Sequence, residues 1–247
     1  MVFPDQQAKN KMLNFIKRKL KNYFIDNGSI PNFERSLQRL KQLGYTPTVV
    51  YDVGAYKGDF ATQCLEVWPG AAVCCFEPLT AQYDKLKAWS EKDKRITVLQ
   101  GLIGSENKSN VVFNESETAS SVLTEHLSKD FVTSHKMMRT LDFCITGMNF
   151  PVPGLLKIDT QGYEYQVILG LLEHIDKVEV IIAELNHIDL HKDVKLAEDV
   201  IEILYKNNFI MYDIAEIHRR PYDSALWQTD FIFVKKDSPL RSNKRWK

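Results

Sequence analysis

The sequence contains no apolar run of about 18 residues, the length a bilayer-spanning helix needs. No signal-peptide pattern opens it, so the expectation is a cytoplasmic, untethered protein. Excess charge is also missing: Lys plus Arg and Asp plus Glu each number 32. No whole-molecule field therefore draws the chain to nucleic acid, and none is expected as a partner. The four cysteines, Cys64, Cys74, Cys75 and Cys144, stand in apolar surroundings without a CxxC pair. They read as reduced core residues. Internal repeats and low-complexity tracts are absent.

What is present is ample material for a core: 247 residues, 44% hydrophobic and 11% aromatic. Length favours one large domain over two small ones. Residues 1–31 stand apart from it. Met12, Ile16, Leu20 and Tyr23/Phe24 recur at helical spacing among Lys11, Lys17, Arg18, Lys19 and Lys21. The expectation is a basic helical extension docked on the domain, with a peripheral membrane-surface or polyanion contact as the sharper alternative. The stretch "DNGSIPNF" breaks the pattern, and the main domain, residues 32–247, begins near Asn32.

From there short β-branched runs alternate with amphipathic segments. "TVVYDV", "AAVCCFEP", "ITVLQGLIG", "GLLKID" and "VEVIIAEL" read as strands, with helical periodicity in "DFATQCLEVW", "TAQYDKLKAWSEK", "YEYQVILGLLEHI" and "KLAEDVIEILYKN". This rhythm predicts an α/β fold around a parallel sheet with right-handed crossovers. "FIMYDIAEI" and "LWQTDFIFVKK" are joined by the eight residues of "HRRPYDSA", too short for a helical crossover. That pair should be antiparallel. Residues 105–153 form an irregular insertion in which "NVVFN" reads as a small strand, "ESETASS" as a flexible loop and "MRTLDFCI" as a strand or strand end.

The stretch "VVYDVGAYKGDF" runs from a buried strand into Asp52 and then a turn through Gly54 and Gly58. In an open α/β sheet this turn is the floor of the ligand crevice. The G-x-G-x-x-G fingerprint is missing and Asp52 has the wrong sign for a pyrophosphate, which disfavours a nicotinamide-dependent oxidoreductase. A cofactor carrying positive charge fits better. Glu77, 25 residues after Asp52, stands where an acid accepts ribose hydroxyls, and Pro78 halts its strand. Gln100 and the amides of Gly101 to Ile103 can meet a purine edge. Together these strand ends describe S-adenosylmethionine, held by Asp52, Gly54, Ala55, Tyr56, Gly58, Glu77, Pro78, Gln100, Gly101, Leu102 and Asp159.

"VVYDVGAYKGDF", "CCFEP", "LLKIDTQGYE", "VIIAEL" and "QTDFIFVKK", in this order, resemble the FkbM family of S-adenosylmethionine-dependent methyltransferases from about Phe33 to Lys236. Tyr56 departs from the family, which often has a small polar residue there. The resemblance implies a Rossmann-like class I methyltransferase fold: a seven-stranded, mostly parallel sheet with its last strand antiparallel and helices on both faces. It also implies O-methylation of a hydroxyl on a sugar, glycan or related natural product.

A hydroxyl is a poor nucleophile at neutral pH, so the acceptor must be held in line and lose its proton. Asp159 ends the fourth strand two residues after Lys157. "AELNHIDLH" offers Glu184 and His187 at the fifth. His187 is the expected base, with Glu184 or Asp159 as its orienter. Glu164 can be structural, as an acid in a first helical turn. Two metal readings, Asp159/Glu184/His187 for magnesium and His187/His191 for zinc, each lack a full ligand set, and no metal is expected. The rival of another class is a non-catalytic adenosyl-cofactor-binding scaffold in a glycan-assembly complex.

Overall fold

Residues 6–26, 30–115, 121–123 and 132–246 are described by the computed structural model. The strands, in chain order, are β1 (Val49–Val53), β2 (Ala72–Glu77), β3 (Ile96–Gln100), β4 (Leu102–Ile103), β5 (Lys108–Glu115), β6 (Val132–Arg139), β7 (Leu155–Ile158), β8 (Val180–Asn186), β9 (Phe209–Arg219) and β10 (Leu226–Lys235). Seven of them form one sheet in the order β3-β2-β1-β7-β8-β10-β9. Strands β3, β2, β1, β7 and β8 pair in parallel, and β10 is antiparallel to both β8 and β9. The expected seven-stranded sheet with an antiparallel final strand is therefore present.

Side-chain alternation along each strand divides the core into two layers. Tyr51, Val53, Leu156, Ile158, Ile181, Ala183 and Leu185 face one layer with α5 (Leu141–Gly147), α6 (Glu164–Leu169) and α7 (Ala197–Lys206). Val50, Leu155, Val180 and Ile182 face the other with α2 (Phe33–Gln42), α3 (Asp59–Val67) and α4 (Thr80–Lys92). Each wholly buried Val, Leu or Ile contributes about 1.5–3 kcal/mol, so the strands are held chiefly by these two layers. All four cysteines are free and buried inside them. Burial pushes the Cys74 thiol up to about 12 and the Cys144 thiol to about 11, which keeps both protonated.

The described part of the insertion is more regular than its sequence suggests. Strands β4, β6 and β5 make a second small sheet, and Phe113, Leu102 and Met138 pack together beneath it. "MRTLDFCI" is a strand only to Arg139. Thr140 then accepts from the Phe143 amide at 3.0 Å and starts α5. Of the expected loop "ESETASS" (115–121), residues 116–120 lie outside the described residues, while Glu115 ends β5 and Ser121 bridges Asn114; residues 27–29 of the break "DNGSIPNF" also lie outside them.

The extension forms α1 (Gln6–Asp26). It was expected to dock on the domain, yet every α1 side chain whose exposure is described is exposed. No helix among the described residues is long and apolar enough to cross a membrane.

Candidate active site

The turn after β1 is built by two glycines. Gly54 has φ +83°, and a Cβ there would lie 1.8 Å from the main-chain oxygen of Asp159. Only glycine lets the first turn and the turn after β7 cross this closely. The Gly54 and Ala55 amides both donate to the Phe76 carbonyl, at 3.0 and 3.1 Å, and Gly58 caps α3 in a left-handed conformation.

Above this crossing lies a cavity of about 280 Å³ at the carboxyl ends of the parallel strands. Val53, Gly54 and Tyr56 line it from the first strand end, Phe76 to Leu79 from the second, and Gly101 to Ile103 from the third. Phe113 and Val122 cover it from the insertion, and Asp159, Thr160, Gln161 and Tyr163 close the end beside β7.

Glu77 is the most polar wall. It is almost wholly buried, and its carboxylate accepts from the Tyr56 amide through Oε2 and the Leu79 amide through Oε1, both at 2.7 Å. Burial pushes it up to about 7, partly offset by those two amides. Each oxygen retains a lone pair for a further donor, which suits the two hydroxyls of a ribose.

Several expected contacts fall elsewhere. Asp52 does not line the cavity: Val53 ends β1, so alternation turns Asp52 into the opposite layer, in register with Lys157. It is fully buried, and neither carboxylate oxygen completes a well-formed hydrogen bond. Burial pushes it up to about 6, and the Lys157 charge only offsets this. Gln100 is directed away and donates to Thr80 Oγ1 at 3.1 Å. Ala55 and Gly58 shape the turn without lining the cavity, whereas Gly54, Tyr56, Glu77, Pro78, Gly101, Leu102 and Asp159 do line it.

Beyond Asp159 is a buried polar network. Lys157 Nζ is 2.8 Å from Asp159 Oδ2. Burial disfavours the Lys157 ammonium, but Asp159, Asp52 and Asp230 outweigh it and raise its pKa. In return Lys157 holds Asp159 below the usual carboxylate range despite burial. Gln161, which sequence reasoning did not single out, joins the groups. Its Nε2 donates to Asp159 Oδ1 at 3.0 Å and to Glu184 Oε2 at 2.9 Å. Gln228 donates to the same Glu184 oxygen at 2.8 Å. Burial, then Asp159, Glu164 and Asp230, push Glu184 well above its ordinary value. Glu164 ties the turn, as its structural reading anticipated: Oε1 accepts from Thr160 N, Thr160 Oγ1 and Gly162 N at 2.9–3.1 Å.

The structure brings Asp159 and Glu184 together but leaves His187 apart. Glu184 and Asn186 share one face of β8, so His187 falls with Leu185 on the other. There its Nε2 lies 2.7 Å from Thr229 Oγ1, and burial lowers its pKa. The histidine near the network is His218 of β9, whose Nε2 faces Asp230 Oδ2 at 3.5 Å. Ligand atoms of Glu184, His218 and Asp230 all lie within 4.8 Å of one another. Only the antiparallel pairing of β10 with β8 and β9 creates this group. Both amides that donate to Glu184 meet its Oε2.

A cavity across the first three strand ends of an α/β sheet, with acids at its far end, is where open α/β sheets of the nucleotide-cofactor class bind their ligands. The profile of the "Methyltransferase FkbM domain" family matches residues 52–211, and the chain belongs to that family. S-adenosylmethionine is its cofactor, and the residues fit it: the Glu77 lone pairs suit the ribose, and the Asp159 end suits positive charge. Among solved structures the chain is similar to methyltransferase FkbM from Methylobacillus flagellatus, with 17% identity, a TM-score of 0.48, and 76% of this chain and 43% of that one covered. It is also similar to a 1,6-didemethyltoxoflavin-N1-methyltransferase of Burkholderia thailandensis, with 12% identity, a TM-score of 0.43, and 96% and 93% covered. A third is a fibrillarin of Aeropyrum pernix, with 10% identity, a TM-score of 0.45, and 76% and 66% covered. The chain thus spans less than half the length of the M. flagellatus protein. No match was found among curated proteins.

Proposed function

We infer that the protein is an S-adenosylmethionine-dependent O-methyltransferase acting on a hydroxyl of a sugar, glycan or related natural product. The observation that carries the reading is Gln161, which reaches from the cavity wall to both Asp159 and Glu184. It sets a row of hydrogen-bonding groups beside the cofactor's reactive end, as a polyhydroxyl acceptor requires.

When bound, the cofactor supplies an electrophilic methyl on a sulfonium. Glu77 would hold the ribose, and Asp159, kept ionised by Lys157, would favour the cationic methionine end. The base expected at His187 is reassigned to His218. With Nε2–H directed at Asp230, its Nδ1 would take the acceptor's hydroxyl proton as the oxygen–methyl bond forms and the sulfur–methyl bond breaks. Asp230 would hold the ring and stabilise the imidazolium, while Gln161 and Glu184 orient the acceptor.

The test is incubation of the protein and S-adenosylmethionine with a panel of glycosides and hydroxylated natural products, followed by mass analysis. One added methyl on oxygen is expected. Methylation confined to nitrogen or carbon would reject the acceptor class, and adenosyl-cofactor binding with no transfer to any acceptor would favour the scaffold.

A further inference from the structure

Helix α1 presents an exposed apolar face. Met12, Phe15, Ile16, Leu20, Tyr23 and Phe24 are each 42–63% exposed. At 3.6 residues per turn they fall within an arc of about 180°. Lys17, Arg18 and Lys21 occupy the remaining arc and are likewise exposed. Lys19 lies on the apolar side, where its ammonium stands 5.0 Å from the Phe15 ring centroid, and Arg18 approaches the same ring at 5.9 Å. Long basic stems flanking an aromatic ring can lay their methylenes along an apolar surface while the charges reach outward.

A water-facing helix has no reason to carry six large apolar side chains on one side, since such faces persist where something covers them. Among the described residues, none from the domain covers this one. A second copy of the helix fits poorly, because residues 6–26 carry six Lys/Arg against one Asp, and pairing two such faces would bring like charges together. An anionic lipid surface satisfies both halves: the apolar arc enters the headgroup–acyl boundary and the basic arc meets the lipid charge. We propose that α1 is a peripheral anchor that lies in the plane of an anionic membrane and holds the methyltransferase domain at its surface. This rests on α1 alone and is independent of the acceptor chemistry.

The full-length protein is to be sedimented with vesicles of phosphatidylcholine plus phosphatidylserine and with vesicles of phosphatidylcholine alone. Binding to the first and at least tenfold weaker binding to the second is expected. Raising salt from about 0.1 M to about 1 M shortens the screening length from about 10 Å to about 3 Å and should weaken binding by a similar factor. Two combined variants, Phe15→Ser/Ile16→Ser/Leu20→Ser and Lys17→Gln/Arg18→Gln/Lys21→Gln, should each lose at least tenfold in vesicle affinity. Calorimetry with S-adenosylhomocysteine should be unchanged in both, showing the domain intact. The proposal is overturned if wild-type protein ignores phosphatidylserine vesicles, binds both kinds equally, or binds undiminished in either variant. Self-association lost in the serine variant, with no vesicle binding by wild type, would assign the face to a second copy instead.

Discussion

Gly54 and Asp159 meet backbone to backbone: a Cβ on the first would lie 1.8 Å from the carbonyl oxygen of the second. The two turns that bracket the cavity therefore share one contact. Gly54→Ala forces them apart and strains a residue at φ +83°, at a cost of about 1–3 kcal/mol from the backbone alone. The expected outcome is a melting temperature lowered by several degrees together with loss of the S-adenosylhomocysteine-induced shift. A variant that melts and binds like wild type would show that the turns can separate freely.

Glu77 carries the ribose prediction. Removing a charged acceptor of two hydroxyls costs on the order of 2–3 kcal/mol, so Glu77→Ala should weaken cofactor binding tens-fold or more by calorimetry. An unchanged dissociation constant would remove Glu77 from the site. Its pKa, raised by burial to about 7, adds a second readout. Hydroxyl donors favour the ionised form, so binding near pH 6 should release a proton, and affinity should fall as pH drops below about 7. Titrations in buffers of different ionisation enthalpy measure that release directly.

Asp52 at about 6 and Glu77 and Glu164 at about 7 all lie above their ordinary values because they are buried. The folded protein then binds these protons more tightly than the unfolded chain. Their contribution is complete below the unfolded pKa values near 4 and declines as pH rises towards 7. The melting temperature of the cofactor-free protein should therefore fall between about pH 5 and pH 7. Glu164→Gln, which keeps an oxygen for the Thr160 and Gly162 amides, should flatten that slope. A Tm that climbs across this range in both forms would contradict the burial argument.

Lys157 pairs with Asp159 inside the sheet, and the charges of Asp52 and Asp230 also act on it. Breaking a buried ion pair on one side costs about 3–5 kcal/mol, because the carboxylates left behind have no compensating charge. Lys157→Met should therefore lower denaturation stability by that amount, even though methionine fills similar space. A loss under 1 kcal/mol would mean that water reaches the cluster.

For turnover, the general-base role predicts that His218→Gln lowers kcat by about 10²–10⁴ while S-adenosylhomocysteine affinity holds. His187→Ala should be nearly silent. Asp230 raises His218 above its usual value, with Glu216 and Asp159 adding to the effect. The acidic limb of the pH–rate profile should thus lie above 6.5 and move down in Asp230→Asn. A profile that stays put in Asp230→Asn, or full activity in His218→Gln, would return the proton to another group.

The succession of strands and helices along the chain and the Glu77 position at a strand end were legible because they rest on local signals: β-branched runs, helical periods and a fixed distance from one strand end to the next. Asp52 misled by a single residue, since alternation decides whether Asp52 or Val53 faces the cavity. The His218–Asp230–Glu184 group was out of reach for a different reason. Its members come from three strands whose register is set by pairing, and nothing local in "AEIHRR" ties His218 to Glu184. Strand β6, "VTSHKMMR", carries little strand signal of its own and is extended because β5 offers a partner. Gln161 was visible in "KIDTQGYE", but its value depends on a φ of +53°, which the sequence does not announce.

Strand β10 follows β9 in the chain yet lies between β8 and β9. During synthesis β9 therefore leaves the ribosome with no neighbour to pair with, and β8 is left as an open edge. Neither gap closes until the residues through Lys235 have emerged. A nascent chain halted at the β9–β10 connection would hold two unsatisfied strand edges, the arrangement most prone to pairing with another copy. The sheet is thus closed from within by the last strand to be made, and a chain that stops short of it keeps both edges open.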